Sequence, residues 1–141
     1  EIPIYNQDME SDFPAAVTRF KEAIEAADAV LFVTPEYNRG IPGVLKNAID
    51  WGSRPPGKNS WGRKPAAIAG TSPGHVGTAA AQAQLRDVLT MLNMRLTGQP
   101  EAYIVATPQL FNEDGSIADD STRSFLKRFL TGFNDWIESS R

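Results

Sequence analysis

The sequence has no cysteine and only one histidine, His75, in 141 residues. The absence of thiols excludes disulfide bonds, cysteine nucleophiles and thiolate metal centres. A single histidine without cysteine gives no basis for a typical zinc site, and we expect no bound metal. Demanding redox chemistry in such a chain would have to come from a bound organic cofactor.

Long apolar stretches and an excess of basic charge are missing as well. No apolar run approaches the ~20 residues of a transmembrane helix, and no signal peptide opens the sequence. With 14 basic and 17 acidic residues, the formal net charge is -3, which gives no electrostatic footprint for nucleic acid. We therefore expect one cytoplasmic globular domain, residues 1–141, with no nucleic-acid or membrane partner.

Helical and strand patterns alternate along the chain. Helices are predicted at residues 14–27, 42–51 and 78–94, and strands at 29–34, 66–69 and 102–106. The unalternated apolar run at 29–34 predicts a strand buried on both faces. A final helical stripe, which we interpret as core packing, comprises Phe125, Phe129, Phe133, Trp136 and Ile137. This order indicates an α/β fold with a doubly wound parallel sheet.

Two unusual loops follow predicted strands, where doubly wound sheets bind ligands. In the first loop, residues 34–43, Tyr37 can stack on a flat ring and Asn38 offers both a donor and an acceptor. Glycines at 40 and 43 allow close approach of the backbone, and prolines at 35 and 42 stiffen the loop. The alternative is a rigid strand-to-helix turn that binds nothing.

The second loop, residues 70–77, combines small hydroxyl residues with glycines just before a predicted helix. Free backbone N–H groups at such a place bind anionic or polar edges of a ligand. The alternative is that Thr71 or Ser72 caps the helix. His75 fits an exposed loop residue better than a catalytic acid. The G-x-S-x-G match at 70–74 is not a hydrolase elbow, because Pro73 has no N–H for an oxyanion hole.

The segment 35–51, Pro-Glu-Tyr-Asn-Arg-Gly-Ile-Pro-Gly-Val-Leu-Lys-Asn-Ala-Ile-Asp-Trp, resembles the NAD(P)H-dependent FMN reductase family. Its members include flavodoxin-like quinone, chromate and azo-dye reductases. The opening Ile2-Pro-Ile-Tyr5 and the second loop are also similar. The resemblance implies non-covalent FMN, with NADPH or NADH as the electron donor. It further implies hydride transfer through FMN to a small acceptor such as a quinone, free flavin, azo compound or chromate.

The resemblance also implies where the flavin ring binds. The first and second loops would meet the ring on two sides, through the cofactor-binding residues Pro35, Glu36, Tyr37, Asn38, Thr71, Ser72 and Gly74. No catalytic side chain is assigned, because the flavin carries the chemistry. A homodimer or homotetramer is implied, and the helix at 42–51 is the candidate interface. Its burial within one subunit is the alternative.

Two other functions share these features. A flavodoxin-type electron carrier would hold its flavin in acidic surroundings and lack a nicotinamide site. A flavin-binding regulatory protein would show no turnover. Oxidation of NAD(P)H by a quinone separates the three possibilities.

The loop at 53–65 is basic in an otherwise acidic chain, with Arg54, Lys58, Arg63 and Lys64 and no acid. The simpler interpretation is a solvated loop. The sharper hypothesis places the loop over the mouth of the flavin site, where its cations would attract the 2′-phosphate of NADPH. That hypothesis predicts a preference for NADPH over NADH.

The chain shows three strands where a flavodoxin-like fold has five, and no Ser/Gly/Asn-rich loop for the FMN phosphate. The three would be neighbours in the strand order 2-1-3-4-5, as its third, fourth and fifth strands. The strand at 29–34 would then be a bare edge. We therefore expect a preceding strand–helix–strand portion of about 30 residues or more.

Overall fold

A computed structural model describes residues 1–140. Four parallel strands form one sheet: β1 Val30–Thr34, β2 Pro65–Ser72, β3 Arg95–Leu96 and β4 Ala102–Val105. Strand β2 is central, with β1 on one side and with β3 and β4 on the other. The helices are α1 Ala15–Ala26, α2 Gly43–Gly52, α3 Ala79–Met91 and α4 Asp120–Ser139, and a short 3-10 helix spans Gln7–Ser11. The predicted α/β fold with a parallel sheet is confirmed.

The small side chains of β2 let helices pack closely on both faces of the sheet. On one face, Ala66 and Ile68 join a buried cluster with residues of α1, α2 and α3. On the other, Ala67 and Ala69 contact α4 through its apolar stripe, which includes Phe129 and Phe133. The interpretation of that stripe as core packing is therefore confirmed. Within residues 1–140, no helix is both long and apolar enough to cross a membrane.

Strand β1 is buried on one face only, so the prediction of burial on both faces was wrong. Phe32 and Thr34 are buried, whereas Leu31 is 39% exposed and Val33 69% exposed. Helix α4 packs on β2 and β4, and no described helix covers β1 on that face. An apolar groove of about 290 Å³ results, lined in part by Val33 and by Leu130 of α4.

Strand β3 is the one strand of the sheet that the sequence pattern did not predict. Ala66 pairs with Leu96 and Ala69 pairs with Ala102, so three residue steps along β2 correspond to six along the neighbouring segment. The neighbouring segment therefore leaves the sheet between its two short strands.

Helix α3 ends at Met91, three residues before its predicted end. Asn93 adopts a left-handed conformation (φ 61°), and the N–H groups of Asn93 and Met94 bond back to the carbonyls of Thr90 and Leu89. This pattern is a Schellman C-cap, in which asparagine takes the place of the usual glycine.

Candidate functional site

The two predicted flavin loops leave the sheet side by side. In the parallel pairing of β1 with β2, Thr34 lies opposite Gly70. Paired strands are about 4.8 Å apart, so residues 35–38 and 71–74 begin as neighbours at the carboxyl edge of the sheet. The structure thus brings together the two segments that sequence reasoning singled out.

The first loop folds back on itself in a tight turn. Asn38 and Arg39 both have positive φ, 52° and 63°, and two hydrogen bonds link Tyr37 with Gly40. Positive φ at both central positions defines a type I′ turn. The turn presents its side chains to solvent, and Tyr37 is 63% exposed. A planar aromatic surface and an amide side chain are therefore accessible at the edge of the sheet.

Glu36 behaves differently from its neighbours in the first loop. Its side chain is only 7% exposed, and its Oε2 accepts a hydrogen bond of 3.0 Å from the N–H of Ala81, in the first turn of α3. Only the main chain of Glu36 is therefore available to a ligand. The N–H and C=O of Tyr37 are both used within the turn, whereas no described residue accepts a hydrogen bond from the N–H of Glu36 or of Asn38.

The second loop starts at a point where only glycine fits. A Cβ on Gly70 would lie 2.5 Å from the carbonyl oxygen of Thr34 and even closer to the hydroxyl of Thr78. Thr78 is fully buried with φ 76°, and its hydroxyl accepts a hydrogen bond from the amide of Gln82. This close packing fixes where the two loops diverge. No pattern in the sequence indicated that Thr78 takes part in this packing.

Thr71 and Ser72 do not cap the following helix, so that alternative was wrong. The residue that precedes α3 is Thr78, which makes no side-chain capping bond. The hydroxyl of Thr71 is buried and has no hydrogen-bond partner among residues 1–140. The Ser72 hydroxyl makes only a long contact, 3.5 Å, with the carbonyl of Gly74. Gly74 and His75 are exposed. The second loop therefore has spare polar atoms beside the first.

Comparisons with known proteins place the chain in a family. The model of the NADPH-dependent FMN reductase family matches residues 1–109. This chain belongs to the NADPH-dependent FMN reductase family. A 2-hydroxy-1,4-benzoquinone reductase of a Burkholderia species is 48% identical over 140 residues, covering 99% of this chain and 76% of that protein. A quinone reductase of Escherichia coli K12 is 39% identical over 141 residues, covering 98% of this chain and 74% of that protein.

A solved structure gives the same result. FerB, a flavoenzyme NAD(P)H:(acceptor) oxidoreductase from Paracoccus denitrificans, matches with a TM-score of 0.94 and 49% identity. The match covers 99% of this chain and 77% of FerB. The flavodoxin-like fold, the oxidoreductase class, FMN as cofactor and NAD(P)H as electron donor are therefore established for this family member.

The residues at the sheet edge fit the FMN of this reductase family. An isoalloxazine ring has apolar faces and a rim of hydrogen-bonding atoms, so it needs a flat contact and several donors or acceptors. Tyr37 supplies an exposed aromatic surface, and Asn38 both donates and accepts. The unpartnered hydroxyl of Thr71 supplies a further polar atom on the neighbouring strand.

The hypothesis that the basic loop covers the flavin site was wrong. Helix α2 runs back across the sheet, so residues 53–64 lie at the amino edge of β2, whereas the flavin loops lie at its carboxyl edge. Six residues of extended strand separate Pro65 from Thr71, which is about 20 Å. Lys64 Nζ donates to the carbonyls of Glu25 and Ala27 at the end of α1.

Arg54 in the same basic loop is also occupied elsewhere. Its Nε donates to the Glu10 carboxylate, which also accepts from the Tyr5 hydroxyl. The hydrogen bond from Tyr5 and the nearby Arg54 guanidinium hold the pKa of Glu10 below its usual value. These cations therefore bind the N-terminal segment and α1 to the domain. They give no physical basis for a preference between NADPH and NADH.

Proposed function

We propose that this chain forms the flavin-ring site of a quinone reductase, passing hydride from NAD(P)H through FMN to a quinone. The observation that carries the proposal is the juxtaposition of the two loops at Thr34 and Gly70 in a member of the FMN reductase family. Quinone acceptors are favoured because relatives at 48% and 39% identity are named as quinone reductases. Chromate, azo compounds and free flavin are further candidate acceptors.

The cofactor-binding residues would be Pro35, Glu36, Tyr37, Asn38, Thr71, Ser72 and Gly74. When bound there, FMN would supply the hydride-transfer chemistry between NAD(P)H and the acceptor. The protein would bind the ring through the main chain of the first loop and the hydroxyl of Thr71. Tyr37 would wall the ring against water. Because the flavin would carry the chemistry, we propose no catalytic side chain.

The test is NADPH oxidation by the FMN-loaded protein, with 1,4-benzoquinone as acceptor. A reductase should turn over with ping-pong kinetics, because nicotinamide and quinone would occupy the same place in turn. An electron carrier or a regulatory protein would bind FMN yet oxidise NADPH no faster than free FMN does. Parallel assays with chromate, an azo dye and free flavin would rank the acceptors, and turnover with none of them would contradict the proposal.

We also propose that the reductase is a cytoplasmic homodimer or homotetramer with α2 at the subunit interface. The helix buries Ile49 and Trp51 in its own domain but leaves Val44 82% exposed. Ile4, which is 86% exposed, flanks the same helix because Pro3 and Tyr5 both hydrogen-bond the side chain of Asn47. Sedimentation should show a Val44→Glu variant with a smaller mass than the natural protein. Equal masses would remove α2 from the interface.

The open side of β1 supports a proposal about domain completeness. The apolar groove and the exposed Val33 resemble a surface that is normally covered, because bare apolar edges promote aggregation. We propose that a strand–helix–strand portion of about 30 residues or more covers it and contributes the FMN-phosphate site. Intact mass of the protein from its native source should exceed the 15.4 kDa of this chain, whereas an equal mass would contradict the proposal.

A further inference from the structure

Helix α3 lacks a conventional N-terminal cap. Its N-cap residue, Thr78, has a left-handed backbone and makes no side-chain capping bond. The Thr78 hydroxyl is instead bonded to Gln82 inside the core. The first turn of a helix leaves N–H groups without intrahelical partners, and these groups need an acceptor from elsewhere.

Glu36 supplies that acceptor from the first loop. Its carboxylate accepts from Ala81 N–H at 3.0 Å and is nearly buried. A negative charge is favoured at this end of a helix because the peptide dipoles point their positive ends there. Arg39, the only cation paired with Glu36 in residues 1–140, is 4.0 Å away and 70% exposed, so it contributes little.

A second contact joins the same loop to the same helix. The side-chain amide of Gln84 donates to the carbonyl of Arg39 at 2.8 Å. Glu36 directly precedes the turn and Arg39 lies within it, and both are held by residues in the first two turns of α3. The turn that carries Tyr37 and Asn38 is attached at two points to the helix that directly follows the second loop.

We propose that Glu36 is a positioning residue for the flavin ring, acting through its bond to α3, with Gln84 as a weaker second attachment. The Glu36 side chain does not touch the ring. Instead it fixes the distance between the first loop and the second, so that both meet one ring at once. This inference rests on the proposed flavin site, and it assigns Glu36 a different part in that site from that of Asn38 or Thr71.

The variants are chosen to separate position from charge. Glu36→Ala removes the acceptor, whereas Glu36→Gln keeps an oxygen that can accept from Ala81 N–H but loses the charge. Glu113→Ala makes the same charge change in an exposed turn and serves as the control. Gln84→Ala removes the second attachment alone. Circular dichroism checks that each variant keeps its helices.

FMN affinity and the absorption spectrum of the bound flavin are the first readouts. Glu36→Ala should weaken FMN binding by about ten- to a hundredfold, the range for losing a hydrogen bond to a charged group, and should shift the spectrum. Glu36→Gln should restore most of the affinity. The inference is overturned if Glu36→Ala behaves like Glu113→Ala. It is also overturned if Glu36→Gln binds FMN as weakly as Glu36→Ala while its Gly40 N–H exchanges no faster than in the natural protein, because the charge would then act on the flavin without loosening the loop.

Hydrogen exchange in the flavin-free protein gives a readout that does not depend on the proposed function. The N–H of Gly40 donates to Tyr37 within the turn. Its exchange should be several-fold faster in Glu36→Ala than in Glu113→Ala or the natural protein. Failure of the natural protein to bind FMN would remove the proposed function, while unchanged Gly40 exchange would show that Glu36 does not hold the loop.

Discussion

Gly70 is the residue at which a single substitution should disturb the geometry of the site most. A Cβ there would lie 2.5 Å from the Thr34 carbonyl oxygen and would overlap the hydroxyl of Thr78. Neither neighbour can easily retreat, because Thr34 belongs to β1 and Thr78 is fully buried. Gly70→Ala must therefore spread β1 from β2 at the point where the two flavin loops begin.

Overpacking of this kind costs about 1–3 kcal/mol of unfolding free energy. In a domain of this size, each kcal/mol lowers Tm by about 2–4 °C, so we expect a loss of roughly 2–12 °C. FMN affinity should fall as well, by about tenfold or more, since 1.4 kcal/mol of lost binding free energy is tenfold. Thermal unfolding followed by circular dichroism and fluorescence titration with FMN measure the two effects.

Two matched glycine variants make the test specific. Gly132→Ala adds a methyl group to the interior of α4, where its nearest neighbour is 4.0 Å away, and should stabilise the protein by up to about 1 kcal/mol. Gly52→Ala would meet the Trp61 ring at 2.5 Å, so it should lower Tm while leaving the affinity of the folded protein for FMN unchanged. The reasoning fails if Gly70→Ala matches Gly132→Ala in Tm, or Gly52→Ala in FMN affinity.

Three further results are expected. Asn38→Ala should weaken FMN binding or shift the flavin potential. Asn38→Gly removes the cost of about 1–2 kcal/mol that a left-handed backbone imposes on a residue with a Cβ, yet it should not restore FMN binding or the potential. Restoration by glycine would show that only the turn conformation matters. Replacing Arg63 and Lys64 with alanine should lower Tm by about 2–4 °C, because about 1 kcal/mol of hydrogen bonding at the end of α1 is lost. The KM for NADPH should stay unchanged at low and high salt. A raised KM would show that the basic loop lies near the nicotinamide site after all. Hydrogen bonds from Thr122 and Ser121 lower the pKa of the Asp119 carboxyl from 3.8 to about 2, so this capping stabilises the fold above pH 3.8 and is lost as pH falls through about 2. The Tm values of the natural protein and Asp119→Asn should therefore converge in acid. A constant difference between them would contradict the role of the Asp119 carboxylate as a cap.

The helices and the three longer strands were predictable because their apolar patterns are strong and local. Strand β3 was not predictable, since a two-residue strand has no pattern of its own and depends on pairing with β2. The sequence indicated that β1 would be a bare edge but not that Val33 would be exposed on a face of the sheet, because an apolar run shows what a strand can bury and not which faces are covered.

The site shows the same division between local and long-range information. The composition of the first and second loops indicated a flat ligand, and the parallel pairing of their strands makes them neighbours. The direction of the Glu36 side chain depends on α3, which lies some 45 residues further along the chain. The position of the basic loop does not follow from its neighbours in sequence, because α2 carries the chain to the opposite edge of the sheet.

The central claim is that both loops meet one flavin ring at the carboxyl edges of β1 and β2. A crystal structure of the FMN complex tests it most directly. The account predicts the isoalloxazine ring between residues 35–38 and 71–74, with main-chain N–H groups of the first loop within about 3 Å of its polar rim. A ring bound elsewhere, for instance near the basic loop at the opposite edge of the sheet, would contradict it.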